Sequence, residues 1–136
     1  MQRIMAIDYG KKRIGLAVTD PLQIIASALE TIEEPKIFDF LKAYFAKENV
    51  NPVLVGYPTH ADGNDTDSTP FVRQFAERLK KDFPDKEIIF RDEAYTSKQA
   101  VQAMISAGAS KKQRREKGNI DKLSAVIILR EYLGHY

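Results

Sequence analysis

Acidic residues interrupt the chain at three places where apolar residues would be expected to continue. Asp8 ends the run Ile4-Met5-Ala6-Ile7, Asp92 and Glu93 follow Ile88-Ile89-Phe90-Arg91, and Asp121 stands just before the stretch Leu123 to Leu129. A charge at the end of an apolar run is costly unless it is paired or holds a metal. Carboxylates gathered at one place repel one another unless a divalent cation lies between them. An all-oxygen donor set favours Mg²⁺ or Mn²⁺ over zinc. Such a site suits phosphodiester hydrolysis, in which two cations about 4 Å apart activate a water and stabilise the leaving oxygen. Each acid also has a plainer reading. Asp8 could bond its own backbone in the turn before Gly10. Asp92 and Glu93 could pair with Arg91 or open a loop. Asp121 could simply complement the dipole of a helix start.

Composition narrows the chemistry. The 136 residues include no cysteine, which removes disulfides, thiol nucleophiles and thiolate zinc sites. His60 and His135 are the only imidazoles, so a Ser-His-Asp triad would have to rest on His60. Net charge is +2. Its distribution is uneven: Lys111, Lys112, Arg114, Arg115 and Lys117 face one acid, Glu116, a local +4 that leaves −2 for the remainder. A basic segment on a near-neutral body is the footprint of a phosphate-backbone contact, although a solvated loop has the same composition. No apolar run approaches the roughly 20 residues that span a bilayer, and the N-terminus lacks a signal-peptide pattern. The expectation is a cytoplasmic protein with no membrane partner, folded as one domain over residues 1–136.

The acids need a frame. Residues 3–8 and 12–19 read as a hairpin around a basic, glycine-marked turn, with Lys11, Lys12 and Arg13 placed to extend a phosphate-binding surface. Ile24 to Thr31 reads as a third strand. Pro35 suits a helix start, and Ile37, Phe38, Leu41, Tyr44 and Phe45 repeat at helical spacing through about Lys47. Pro52 to Gly56 is a short continuous apolar run, the pattern of a strand buried on both faces beside a parallel neighbour. Tyr57 to Asp67 reads as loop; its glycine is misplaced for a calcium hand. Ser68 or Thr69 opens a helix that ends near Asp82 or Phe83. Glu87 to Arg91 is the last strand. Thr96 or Ser97 caps a helix that Gly108 ends, and a final helix runs from about Asn119 or Ile120 to Leu133. The order β-β-β-α-β-α-β-α-α predicts an α/β fold: a five-stranded mixed sheet with helices on both faces. In open α/β sheets, sites gather where strand ends meet helix termini, which is where the acids fall.

Several motifs then stand together in order. Asp8-Tyr9-Gly10-Lys11-Lys12-Arg13-Ile14-Gly15-Leu16-Ala17 opens the chain. Gly56-Tyr57-Pro58 and Asp62-Gly63 lie at its centre. Asp92-Glu93 precedes Tyr95-Thr96-Ser97. Lys117-Gly118-Asn119-Ile120-Asp121 closes it, with Ser124-Ala125 and Ile127-Ile128-Leu129. Nearly end to end, this set resembles the YqgF (RuvX) family, relatives of the RuvC Holliday-junction resolvases within the ribonuclease H-like fold. The resemblance implies a ribonuclease H-like, metal-dependent nuclease domain. It also implies catalytic, metal-holding acids at Asp8, Glu93 and Asp121. The roles it implies are 5′-end processing of pre-16S rRNA during ribosome maturation or Holliday-junction resolution. Ala94 departs from the pattern, since the family usually has Arg there, and a guanidinium at that place would clamp phosphate. No further acid follows just after Asp121, where RuvC-type sites usually carry a fourth.

The expected cofactor is therefore Mg²⁺ or Mn²⁺, and the expected partner an rRNA precursor or branched DNA. The rival reading is a non-catalytic nucleic-acid-binding assembly factor. An ATP-binding reading of the hairpin fails on length and on the missing Gly-x-x-x-x-Gly-Lys-Ser/Thr loop. Cutting a junction takes two symmetry-related incisions, so a resolvase would be a homodimer, whereas an rRNA-processing enzyme could act as a monomer.

Overall fold

The computed structural model describes residues 2–57, 69–92 and 117–134. Five strands form one sheet: β1 (Arg3–Asp8), β2 (Arg13–Thr19), β3 (Ala26–Glu33), β4 (Val50–Tyr57) and β5 (Ile88–Asp92). Their order is β3-β2-β1-β4-β5. β2 pairs antiparallel with β1 and with β3, whereas β4 runs parallel to both β1 and β5. The opening meander and the buried parallel strand predicted from pattern are both present. The helices are α1 (Ile37–Lys47), α2 (Thr69–Asp82) and α3 (Lys117–Leu133).

Side-chain alternation divides the core in two. Met5 and Ile7 of β1 join Ile14, Leu16 and Val18 of β2, and pack with Ile37 and Leu41 of α1 and with Val72, Phe75 and Leu79 of α2. Ile4 and Ala6 point the other way. They cluster with Ala17, Leu54 and the α3 residues Ala125, Ile128 and Leu129. Successive residues of a strand face opposite sides, so β1 and β2 carry apolar residues at almost every position. The small residues Ala6, Ala17 and Ala125 let α3 lie close against the sheet. Helices therefore cover both faces, as expected. Among the described residues no helix is long and apolar enough to cross a membrane.

Three of the boundaries that differ from the sequence reading have a local reason. β3 begins at Ala26 rather than Ile24. The Asp20 carboxylate captures the turn before it: Oδ1 accepts from the amides of Ile24 at 2.8 Å and Ile25 at 2.7 Å, and Oδ2 from Leu22 at 3.2 Å. The Ile25 amide is the largest of the influences that hold the Asp20 carboxyl below the ordinary carboxylate range. Leu22, Ile24 and Ile25 are left exposed on a turn instead of pairing in the strand. Pro35 starts a short 3₁₀ turn, Glu34–Lys36, and the α-helix follows from Ile37. α3 begins at Lys117, so the last two residues of the predicted basic loop belong to the helix. The helix expected from Thr96 to Gly108 lies outside the described residues.

Candidate active site

Asp8 is the last residue of β1, the central strand, and pairs with Gly15 of β2. Ile4 and Ala6 face α3, so the two-residue period puts Asp8 on that same face. It is half-buried there. The parallel strands share its direction. Ile7 aligns with Val55, Val55 with Phe90, Gly56 with Arg91 and Tyr57 with Asp92. The carboxyl ends of β1, β4 and β5 therefore lie along one end of the sheet, with Asp8 at one of them and Asp92 at another. Glu93 is the next residue in the chain and lies outside the described residues. Asp121 occupies α3 one turn before Ala125, the residue that packs against the Ala6 side of the sheet.

The hairpin turn is shaped by Gly10. A side chain there would be driven into the Arg13 carbonyl oxygen, so the tight path from Asp8 to β2 requires a residue without Cβ. Tyr9 ties the turn to the opposite layer. Its ring packs against Phe75 of α2 at 4.8 Å between centroids, and its hydroxyl donates to Glu34 Oε1 at 3.5 Å. Burial, then the nearby Glu34 charge, pushes the phenol above its usual value. Tyr9 is thus a rim aromatic with a packed ring rather than a free stacking surface. Glu34 also donates its amide to the Lys12 carbonyl at 3.0 Å, closing the tip against the start of α1.

Lys11 and Lys12 are exposed on this turn, and Lys11 Nζ lies 4.4 Å from the centre of the Phe71 ring. Arg13 is the half-buried first residue of β2, and Lys117 the first residue of α3. Lys111, Lys112, Arg114 and Arg115 lie outside the described residues. Two polar atoms escaped the sequence reading. Among the described residues, Arg13 Nε and Ser124 Oγ are buried without a hydrogen-bond partner. Arg13 alternates with Gly15 and Ala17, while Ile14, Leu16 and Val18 fill the other face, so with α3 lying over Ala17 Arg13 falls on the α3 side, a placement the sequence alone does not reveal. Ser124, inside the run Leu123 to Leu129, looked like an ordinary small helix residue.

Asp8 at the end of the central strand, Asp92 at the end of β5 and Asp121 on α3 are carboxylate-bearing residues, the oxygen-donor type that a hard cation prefers. Known proteins share this fold and much of this sequence. The family model described as RuvX, Holliday junction resolvase, matches residues 2–135. A protein of Amoebophilus asiaticus named "Putative pre-16S rRNA nuclease" is 52% identical over 136 residues, covering 100% of this chain and 96% of that protein. A protein of the same name from Flavobacterium johnsoniae is 50% identical over 133 residues, covering 98% and 96%. Among solved structures, Thermus thermophilus RuvC in complex with a Holliday junction substrate superposes with a TM-score of 0.57 at 15% identity, covering 98% of this chain and 97% of that one. At that identity the likeness speaks for a shared fold, the ribonuclease H-like sheet of RuvC. With the family matched over nearly its whole length, the chain belongs to the RuvX family.

Proposed function

We propose that this protein is a metal-dependent nuclease that hydrolyses phosphodiester bonds in structured nucleic acid, with the 5′ end of pre-16S rRNA as its substrate. The observation that carries the reading is Asp8: a carboxylate at the carboxyl end of the central strand, on the α3 face, at the same end of the sheet at which β5 ends in Asp92. The names of the half-identical relatives supply the rRNA substrate. The family description and the RuvC likeness make a four-way DNA junction the second candidate.

Asp8, Glu93 and Asp121 are the residues that would hold Mg²⁺ or Mn²⁺. The fit is chemical: the three residues offer carboxylate oxygens only, the donor set that a hard divalent cation prefers. When bound, the ion supplies Lewis-acid stabilisation of the phosphoryl group and lowers the pKa of a water. The chain's own residues do the rest. The rigid hairpin fixes Asp8 in the sheet, Lys11, Lys12 and Lys117 attract the phosphate backbone, and the basic residues Lys111, Lys112, Arg114 and Arg115 extend that attraction just before α3. The enzyme would act in the cytoplasm as a single domain, as a monomer on rRNA.

The test is cleavage of two end-labelled substrates, a pre-16S rRNA 5′ segment and a four-way DNA junction, with Mg²⁺, with Mn²⁺ and with chelator. The expected result is metal-dependent cutting of the rRNA segment, abolished by chelator. Preference for the junction would transfer the assignment to resolution and require a dimer. Binding without cutting in either metal would replace the nuclease with a non-catalytic RNA-binding factor.

A further inference from the structure

Helical spacing would set Phe71 with Phe75 and Leu79 on the buried stripe of α2. The residues that α2 buries are Val72, Phe75, Ala76 and Leu79, whereas Phe71 is 43% exposed. Phe38, Phe40, Phe45, Phe75 and Phe83 belong to the core cluster under α1 and α2 or pack against it, and Phe71 does not. One exposed apolar side chain is ordinary on a protein surface. Its place sets this one apart. Tyr9 packs on Phe75 with ring centroids 4.8 Å apart, and Lys11 Nζ stands 4.4 Å from the centre of the Phe71 ring, one helical turn earlier. The tip of the β1–β2 hairpin thus lies along the first turns of α2. Asp8 faces α3 and Lys11 reaches α2, yet the two are three residues apart, so their Cα atoms lie within about 11 Å. Phe90, the other exposed phenylalanine among the described residues, lies on β5 at the sheet edge. Its nearby cation, 5.8 Å away, is Lys80 in the last turn of α2, far from the hairpin.

An accessible ring beside a cation complements a nucleotide. The ring offers a π-face on which any base can stack, and the ammonium meets a phosphate. We propose that Phe71 is a base-stacking residue: an unpaired base of the nucleic-acid strand lies on its ring while Lys11 meets the adjoining phosphate. The inference rests on the nucleic-acid reading above and deepens it, because it adds a contact to a base where Lys11, Lys12 and Lys117 offer only charge. The occupant is single-stranded, since a base inside a duplex keeps its faces against its neighbours, whereas an unstacked base is free to lie on an aromatic side chain. A protein partner would call for a broad apolar patch rather than one ring flanked by the exposed cations Lys11 and Lys12. Held across the hairpin tip from Asp8, the base anchors the strand near the carboxylates without touching them.

The sequence contains no tryptophan, so Phe71→Trp sets a single fluorophore at the contact. Its emission should be quenched on saturation with a single-stranded pre-16S rRNA 5′ segment in Ca²⁺, with affinity at or above that of the wild type. Leu22→Trp, on the exposed turn at the other end of β2, should not be quenched. Phe71→Ala and Phe71→Leu should each weaken binding of the labelled single strand, read by anisotropy, on the order of tenfold, the worth of one stacked base. The salt dependence should stay the same, because no charge is removed. Binding of the same segment annealed to its complement should stay near wild type, and so should the melting temperature, since the ring is exposed. An unquenched Phe71→Trp variant, or wild-type affinity in Phe71→Ala, would overturn the stack. An equal loss on the duplex would overturn it too, as would recovery by Phe71→Leu, which keeps apolar area without a π-face. Failure of the nuclease reading looks different: the wild type would bind the single strand and never cut it in Mg²⁺, while quenching of the Phe71→Trp variant would still uphold the stack.

Discussion

Replacing Asp8 by Asn is expected to lower metal-dependent cleavage by roughly a thousandfold or more, the scale of several kcal/mol of lost charge stabilisation. The substitution is close to isosteric, so the loss would report charge rather than shape. Asp8 terminates β1, where its backbone pairs with Gly15 and its preceding neighbours Met5, Ala6 and Ile7 are fully buried. None of that packing depends on the carboxylate being ionised. In the proposed site, neutralising one acid would also relieve repulsion from the others, so the melting temperature in chelator should stay close to that of the wild type. Single-turnover kinetics beside thermal melting check both halves. Cleavage within about tenfold of wild type would remove Asp8 from the site.

The largest effect on stability is expected from Leu54→Ala. Leu54 lies in β4 between Ala6 of β1 and Ile89 of β5, is fully buried, and packs in the cluster with Ala125, Ile128 and Leu129. Truncation there should cost about 2–5 kcal/mol, the transfer loss plus the cavity left behind. The cavity would open beneath α3. The helix that carries Asp121 would lose part of its seat, and cleavage should fall alongside stability. Leu22→Ala provides the contrast. Leu22 is 58% exposed on the Asp20 turn, so its truncation should stay within about 0.5 kcal/mol. Urea unfolding distinguishes the two: the Leu54 variant should lower the midpoint with little change in slope.

Much of this architecture was legible because the physics was local. Continuous burial of both faces marked Pro52 to Gly56 as an interior parallel strand, and β4 is that strand. The glycine-marked turn between two apolar runs announced the β1–β2 hairpin, and Gly10 proves indispensable to it for a steric reason. Where the reading slipped, a longer-range or side-chain effect intervened. Ile24 and Ile25 have the composition of a strand, but one carboxylate, Asp20, bonds their amides and draws them into a turn. Lys117 and Gly118 continue a charged run and so read as loop, yet they form the first turn of α3.

The candidate site was half legible. A charge ending an apolar run betrayed Asp8, and the pairing register then placed it at the same end of the sheet as Asp92. Arg13 was visible only as one more basic residue of a turn. Its unmet donor depends on which face of β2 lies under α3, and alternation reveals that only once the sheet order is known.

The central claim is that Asp8, Glu93 and Asp121 hold one divalent centre, and titration with Mn²⁺ followed by electron paramagnetic resonance tests it most directly. The wild type should bind Mn²⁺ and be displaced by Mg²⁺. Asp8→Asn, Glu93→Gln and Asp121→Asn should each weaken binding by on the order of tenfold or more, because each removes a ligand charge from the same ion. Mn²⁺ affinity unchanged by all three substitutions would contradict a shared carboxylate centre and, with it, the nuclease mechanism built on it.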